Sequence, residues 1–115
     1  MRSESADAAL AAIRENIVLA ESFMAGLDRD AFAEDRKSVY AVVRCLEIIS
    51  EASRRVGEDV KARHPSIPWD RIAGAGNMYR HEYDNVLETY VWTTVRESLP
   101  PLLLIVDREL NSARG

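Results

Sequence analysis

The chain has 115 residues, enough for one domain with a buried core that needs neither disulfides nor metals to fold. Hydrophobic residues make up 47% and charged residues 30%, a balance that excludes an intrinsically disordered chain. The net charge of −4 argues against a broad nucleic-acid-binding surface, although a local basic groove is compatible with it.

Cysteine usage and the absence of targeting signals predict a cytoplasmic protein. Cys45 is the single cysteine and lies in an apolar helical pattern, so we expect a small buried core residue rather than a disulfide or a thiolate metal site. No apolar run approaches the roughly 18 residues of a membrane span, and the N-terminus lacks a basic segment followed by an apolar one. We therefore expect no membrane partner.

The first third of the chain is predicted to form two helices. Apolar residues recur at three- and four-residue spacing from Leu10 to Leu27, which indicates an amphipathic helix with Ser5 as its N-cap and its end near Gly26. The next segment is predicted to be a turn with a short helical piece, capped by Asp28 and anchored by Phe32.

A second apolar stripe predicts the central helix of the fold. It runs from Val39 to Val56 and is thickened by further apolar residues, which indicates burial on more than one side. One side of this helix carries a charged set with helical spacing: Arg44, Glu47 and Glu51. This set is interpreted either as an ion pair on a partly buried or subunit-facing side, or as evidence that Arg44 lines a cleft near His81.

The second half of the chain continues the helical pattern. Gly57 is expected to bend or weaken the helix, and His64 before Pro65 to end it as a solvent-exposed histidine. A new helix begins at Pro68, and a last arm or kinked helix, interrupted at Pro100-Pro101, leads into a frayed tail at about 111–115. We predict one all-α domain over residues 1–115, an antiparallel bundle of four to five helices.

The segment from Gly76 to Asp84 is unusually dense in reactive side chains. It holds an amide, an imidazole, a guanidinium, two carboxylates and two phenols in nine residues. His81 is suited to acid or base chemistry near neutral pH, and Asn77 precedes it by one helical turn on the same face. Tyr83 joins that face only if the helix ends near His81. The simpler interpretation of His81 is a hydrogen-bonded residue at a helix end.

Several chemistries lack the residues that they need. The two histidines lie far apart without metal-ligand spacing, so no metal or other cofactor is expected. Gly74 and Gly76 follow no strand and are interpreted as allowing close approach of another helix. RNA supplies its own nucleophile, the 2′-hydroxyl, so His81 with Arg80 has the residue types needed to cleave it, although adjacent helical residues diverge by about 100°.

Four segments together resemble the HepT-like (DUF86) family of HEPN domains. They are 44–52, 63–74, 81–83 and 91–95 followed by Leu99-Pro100. The resemblance covers about residues 38–106 and implies a dimerising helical bundle. It further implies a metal-independent RNA-cleaving toxin, acting on tRNA or mRNA, whose antitoxin partner is a small nucleotidyltransferase.

The resemblance also assigns roles to individual residues. The family's Arg-x4-6-His motif, often extended to His-x-Tyr, corresponds to His81 and Tyr83, and the antitoxin would adenylylate Tyr83. Where the family usually has Arg before Asn, this chain has Gly76 before Asn77. Hence Arg80 substitutes for that arginine, or Arg44 or a partner subunit supplies the cation, or the domain is a catalytically silent helical module that only binds its nucleotidyltransferase.

Overall fold

A computed structural model of the chain describes residues 2–81 and 85–112, without the side chains at positions 79–81, 85 and 86. These two ranges form helices and turns and contain no strand, which confirms the predicted all-α class. The helices are α1 (Glu4–Met24), α2 (Arg29–Glu34), α3 (Arg36–Ser53), α4 (Glu58–Arg63), α5 (Trp69–His81), α6 (Asn85–Thr93) and α7 (Leu99–Ser112), with a π-helical segment (Thr94–Ser98) between α6 and α7.

Helix α3 is the centre of the bundle, as its apolar pattern predicts. It packs against α1 and α5, with further contacts to α2 and α6, while α1 also packs against α7. The core includes the predicted stripes of α1 and α3, and both Phe32 and Cys45 are buried in it. Burial raises the pKa of the Cys45 thiol. None of the described helices is long and apolar enough to cross a membrane.

The first helix begins two residues earlier than predicted. Ser3, not Ser5, is the N-cap: its backbone is extended and its hydroxyl accepts a hydrogen bond from the Ala6 N–H at 3.0 Å. Ser5 lies inside the first turn. The cap of α2 is confirmed, because the Asp28 carboxylate accepts a bond from the Ala31 N–H at 2.8 Å.

Gly57 separates two helices instead of bending one. Its φ of +97° is a conformation that L side chains rarely adopt, and it precedes α4 as the N-cap, so α3 ends at Ser53. His64 is the C-cap of α4, as expected from Pro65. The prediction that His64 is solvent-exposed is wrong, since only 16% of its side-chain surface is accessible.

The last arm is interrupted, as predicted, and the interruption takes the form of the π-helical segment. Pro100 and Pro101 lack N–H groups, and their rings would clash with the carbonyls four residues earlier in a regular α-helix. The π-helical turn before Leu99 relieves that clash and lets α7 start afresh. Asn111 and Ser112 belong to α7 and not to a frayed tail, while residues 113–115 lie outside the described ranges.

One buried carboxylate joins three distant parts of the chain. Glu109 in α7 is 5% exposed, and it accepts hydrogen bonds from Arg63 at 2.8 and 3.1 Å and from Arg2 at 3.1 Å. The Nε2 atom of His64 lies 2.6 Å from the same carboxylate. Bonding by Arg63, then by His64 and Arg2, lowers the pKa of the Glu109 carboxyl to about 2. We call these four residues the Glu109 network.

Replacing Glu109 by Gln is expected to lower the free energy of unfolding by about 3 kcal/mol, because two guanidinium groups lose their buried counter-charge. Denaturation in urea measures this loss. The control is Asp107→Asn in the same helix, which breaks an exposed 2.8 Å ion pair with Arg14 and should cost less than about 1 kcal/mol. Equal losses in the two variants would contradict a structural role for the network.

Acid should abolish the difference between wild type and the Glu109→Gln variant. The folded-state pKa of Glu109 is depressed from 4.5 to about 2, so its stabilisation is fully present above pH 4.5 and lost as the pH falls toward 2. Urea midpoints of both proteins across this range test the prediction. A difference that stays constant down to pH 2 would show that the carboxylate charge is not responsible.

Candidate functional site

The candidate site lies where α5 packs against α3. The buried hydroxyl of Ser50 donates to the Ala73 carbonyl at 2.9 Å and accepts from the Gly76 N–H at 3.1 Å. Arg54 Nη2 donates to the same Ala73 carbonyl at 2.8 Å. Because these bonds reach backbone atoms, the two helices are in close contact, and the register of α5 on α3 is defined.

This register brings the middle of α3 level with the end of α5. Ser50 contacts both Ala73 and Gly76, whereas Arg54, one turn later in α3, reaches only Ala73, so the helices run in opposite directions. From this contact Arg44 lies about 9 Å back along α3, and position 81 lies about 7.5 Å forward along α5, at a rise of about 1.5 Å per residue. The two positions are therefore at similar heights.

The predicted site residues are described to different extents. Asn77 is exposed on α5, and the regular helix continues through position 81, one turn further along the same stripe. The described part of the helix reaches His81, and the condition for Tyr83 to join its face, a helix end near His81, lies outside the described residues. The side chains of Arg80 and His81, and the whole of Tyr83, lie outside the described part of the structure.

The two glycines of α5 serve different purposes. Gly76 is buried against Ser50, and its backbone contact agrees with the expected close approach of another helix. That interpretation is wrong for Gly74, because a Cβ atom built there would meet nothing within 4 Å. Gly74 lies on the exposed stripe with Asn77, so this side of α5 is bare and open to solvent.

Within the described ranges Arg44, Glu47 and Glu51 form no ion pair with one another, unlike the ion pair expected on a partly buried or subunit-facing side. Arg44 is exposed and forms no ion pair within the described ranges, while Glu51 pairs with Arg54 at 4.0 Å and Arg55 at 3.4 Å. Glu47, which lies between Arg44 and Glu51 in the sequence, is half-buried. A free guanidinium at Arg44, level with the end of α5, agrees better with the alternative that Arg44 lines a cleft there.

The opposite side of α5 borders an apolar cavity of about 220 Å³. Its walls come from α3, α5, the π-helical segment and α7, and they include Ile49, Ile72, Ala75, Thr94 and Leu102. Ile72 and Ala75 lie about half a turn around α5 from the stripe that carries Asn77. The cavity is therefore separate from the exposed side of α5, where the predicted site residues lie.

Sequence reasoning missed the partners of Glu109 and the cations at the start of α3, which form no ion pair within the described ranges. The network escaped notice because Arg2, Arg63 and Glu109 are far apart in the chain and share no motif. The basic composition of residues 36–46, three cations without an acid, is the signal that could have revealed the second feature. Within the described ranges, no group of three or more His, Cys, Asp or Glu side chains is placed to hold a metal ion.

Comparison with known proteins places this arrangement in a family. The family model described as "Ribonuclease HepT-like" matches residues 13–109, which include all of α3 and α5. The chain is 40% identical over 90 residues to "Probable ribonuclease HepT" of Thermococcus cleftensis, an alignment that covers 78% of this chain and 82% of the relative.

Two relatives from Methanocaldococcus jannaschii show similar likeness. The chain is 34% identical over 80 residues to "Putative RNase MJ1380", covering 70% of this chain and 73% of the relative. It is 32% identical over 94 residues to "Putative RNase MJ1216", covering 82% and 78%. No solved structure matches significantly. The family match and the relatives together establish that the chain belongs to the HepT-like ribonuclease family.

Proposed function

We propose that this protein is a metal-independent endoribonuclease, the toxin of a toxin–antitoxin pair whose antitoxin is a minimal nucleotidyltransferase. The observation that carries the proposal is the family match over residues 13–109, within which α5 packs along α3. The substrate is RNA, either tRNA or mRNA, and the site of action is the cytoplasm.

In the proposed reaction His81 acts as general base on the 2′-hydroxyl of RNA. The 2′-oxygen forms a bond to the adjacent phosphorus, the bond to the 5′-oxygen breaks, and the leaving oxygen takes up a proton from water. The products are a 2′,3′-cyclic phosphate and a 5′-hydroxyl end. Asn77, one turn before His81 and exposed, orients the substrate or the imidazole.

The negative charge that develops on the phosphorane requires a cation, and we assign it to Arg80. Position 80 follows Gly76 by one turn of α5, so it continues the stripe where the family carries arginine. Arg44, exposed and unpaired within the described ranges, is the alternative source.

Two further properties complete the proposal. Tyr83, two residues after His81, lines the site and is the residue that the antitoxin adenylylates.

The protein forms a homodimer, which light scattering at micromolar concentration would reveal. Within the described ranges the large apolar residues that stay exposed are Val18, Leu19 and Phe23 on α1, Tyr40 on α3, Tyr90 on α6 and Leu104 on α7.

Purified protein should cleave total tRNA or mRNA in the presence of a chelator, and His81→Ala should lower the rate by at least about 100-fold, the lower limit of a general-base contribution. Arg80→Gln should cost about 100- to 1,000-fold, as for loss of one charge-stabilising donor. Arg44→Gln is the matched comparison, and the variant with the larger loss of rate identifies the arginine that supplies the cation. Absence of cleavage by wild type, or full activity of His81→Ala, would refute the ribonuclease.

The rival function is a catalytically silent module that binds the nucleotidyltransferase, and Gly76 is the observation that favours it. Gly76→Arg restores the family's arginine at this position. If Arg80 supplies the cation, the variant gains little activity; if the domain is silent, cleavage emerges only in the variant. Because Gly76 is buried against Ser50, thermal unfolding must first show that the variant is folded.

A further inference from the structure

The outward side of the first half of α3 concentrates positive charge. Arg36, Lys37 and Arg44 are exposed there, and residues 36–46 contain no acidic side chain. None of the ion pairs of the described residues includes these three cations. In a chain with a net charge of −4, such a concentration is a local exception. We call these residues, together with Tyr40, the α3 outer face.

An exposed aromatic ring lies among these cations. Tyr40 is 67% exposed, so most of its surface is not packed against the protein. The Arg36 guanidinium lies 5.8 Å from the centre of the ring and donates a 3.3 Å hydrogen bond to the phenol oxygen. The nearest acids lie at the edges of the face: Asp35 binds Ser38 as the helix cap and interacts electrostatically with Lys37, and Glu34 is exposed at the end of α2. Glu47 begins the following acidic stretch.

The α3 outer face continues toward the proposed catalytic end of α5. Arg36 and Arg44 are eight residues apart in one helix, a span of about 12 Å. Arg44, at the far end, is level with position 81 by the antiparallel register fixed at Ser50. A strand that contacts the face from Arg36 to Arg44 therefore arrives at the end of α5.

We propose that the α3 outer face binds single-stranded RNA next to the cleavage site, with a base stacked on Tyr40 and phosphates on Lys37 and Arg44. This inference rests on the proposed ribonuclease function. A cationic surface with an interposed aromatic ring matches the two features of a single strand, its phosphates and its unpaired bases. An acidic protein would match the charge but would leave Tyr40 without a role, and duplex RNA would offer no free base to stack.

The test is a binding measurement in the His81→Ala background, which prevents consumption of the probe. A fluorescein-labelled, mixed-sequence single-stranded RNA is titrated with protein and followed by anisotropy at several salt concentrations. Tyr40→Ala should weaken binding at least about fivefold without changing its salt dependence, since it removes one stack and no charge. Lys37→Gln with Arg44→Gln should reduce the slope of log K against log salt by about 1.4.

The controls carry the same chemical changes on other helices. Arg14→Gln with Arg108→Gln removes two exposed cations from α1 and α7, and Phe23→Ala removes a half-exposed ring from α1. Both controls should leave affinity and slope unchanged. Equal losses in the controls and the α3 variants would overturn the inference, because they would indicate diffuse attraction instead of a binding face.

Cleavage assays of the same substitutions, with His81 intact, separate this inference from the proposed function. If wild type cleaves RNA and the α3 variants have the same KM as wild type, the binding face is overturned and the ribonuclease function stands. Failure of wild type to bind or cleave RNA would overturn both. If Tyr40→Ala leaves the RNA affinity unchanged but changes the mass measured by light scattering, the face is instead an interface between copies of the chain.

Discussion

The contact of the Ser50 hydroxyl with the backbone of α5 is the constraint on which the candidate site depends. One small side chain bonds to both Ala73 and Gly76, so α5 is held against α3 at a fixed height and in a fixed direction. A larger residue at either helix surface would push the backbones apart. The position of the α5 C-terminus relative to Arg44 follows from this contact, and with it the proposed relation between base, phosphate ligand and incoming strand.

Two groups of the described cations have contrasting environments. Arg2 and Arg63 surround the buried carboxylate of Glu109, and their charge stabilises the fold. Lys37 and Arg44 have no such partner within the described ranges and point their charge to solvent. The acidic residues exceed the basic ones by four, so a group of cations on one helix surface without ion pairs in the described ranges is unusual for this chain. Such a local positive surface favours the binding of anions.

Local signals in the sequence predicted the elements well. The apolar stripes gave the course of α1 and α3, Asp28 gave a cap, and Pro65 and Pro100-Pro101 gave interruptions, since each depends on residues within a turn or two. Errors arose where the answer depended on distant residues. His64 looked exposed because its partner, Glu109, is 45 residues away, and Gly57 was taken for a bend because the sign of φ is not encoded in residue type alone.

For the candidate site, the sequence predicted a helix that carries Asn77 one turn before position 81, because this spacing depends only on periodicity, while the roles of Asn77, Arg80, His81 and Tyr83 stay predictions. It left open which cation faces the site. That question depends on which helix lies beside α5 and in what register, and only the contact at Ser50 brings Arg44 to the right height. The free state of Arg44 also required knowing that Glu51 pairs with Arg54 and Arg55.

The Glu109 network has a further consequence for the order of folding. Arg2 and Glu109 are separated by 107 residues, so their contact closes nearly the whole chain into a loop. Closing so long a loop carries an entropic cost that is met only after the intervening helices have packed. Interactions that are absent from the folding transition state change the unfolding rate and leave the folding rate almost unaffected. We therefore expect the network to slow unfolding of the terminal helices more than it speeds folding.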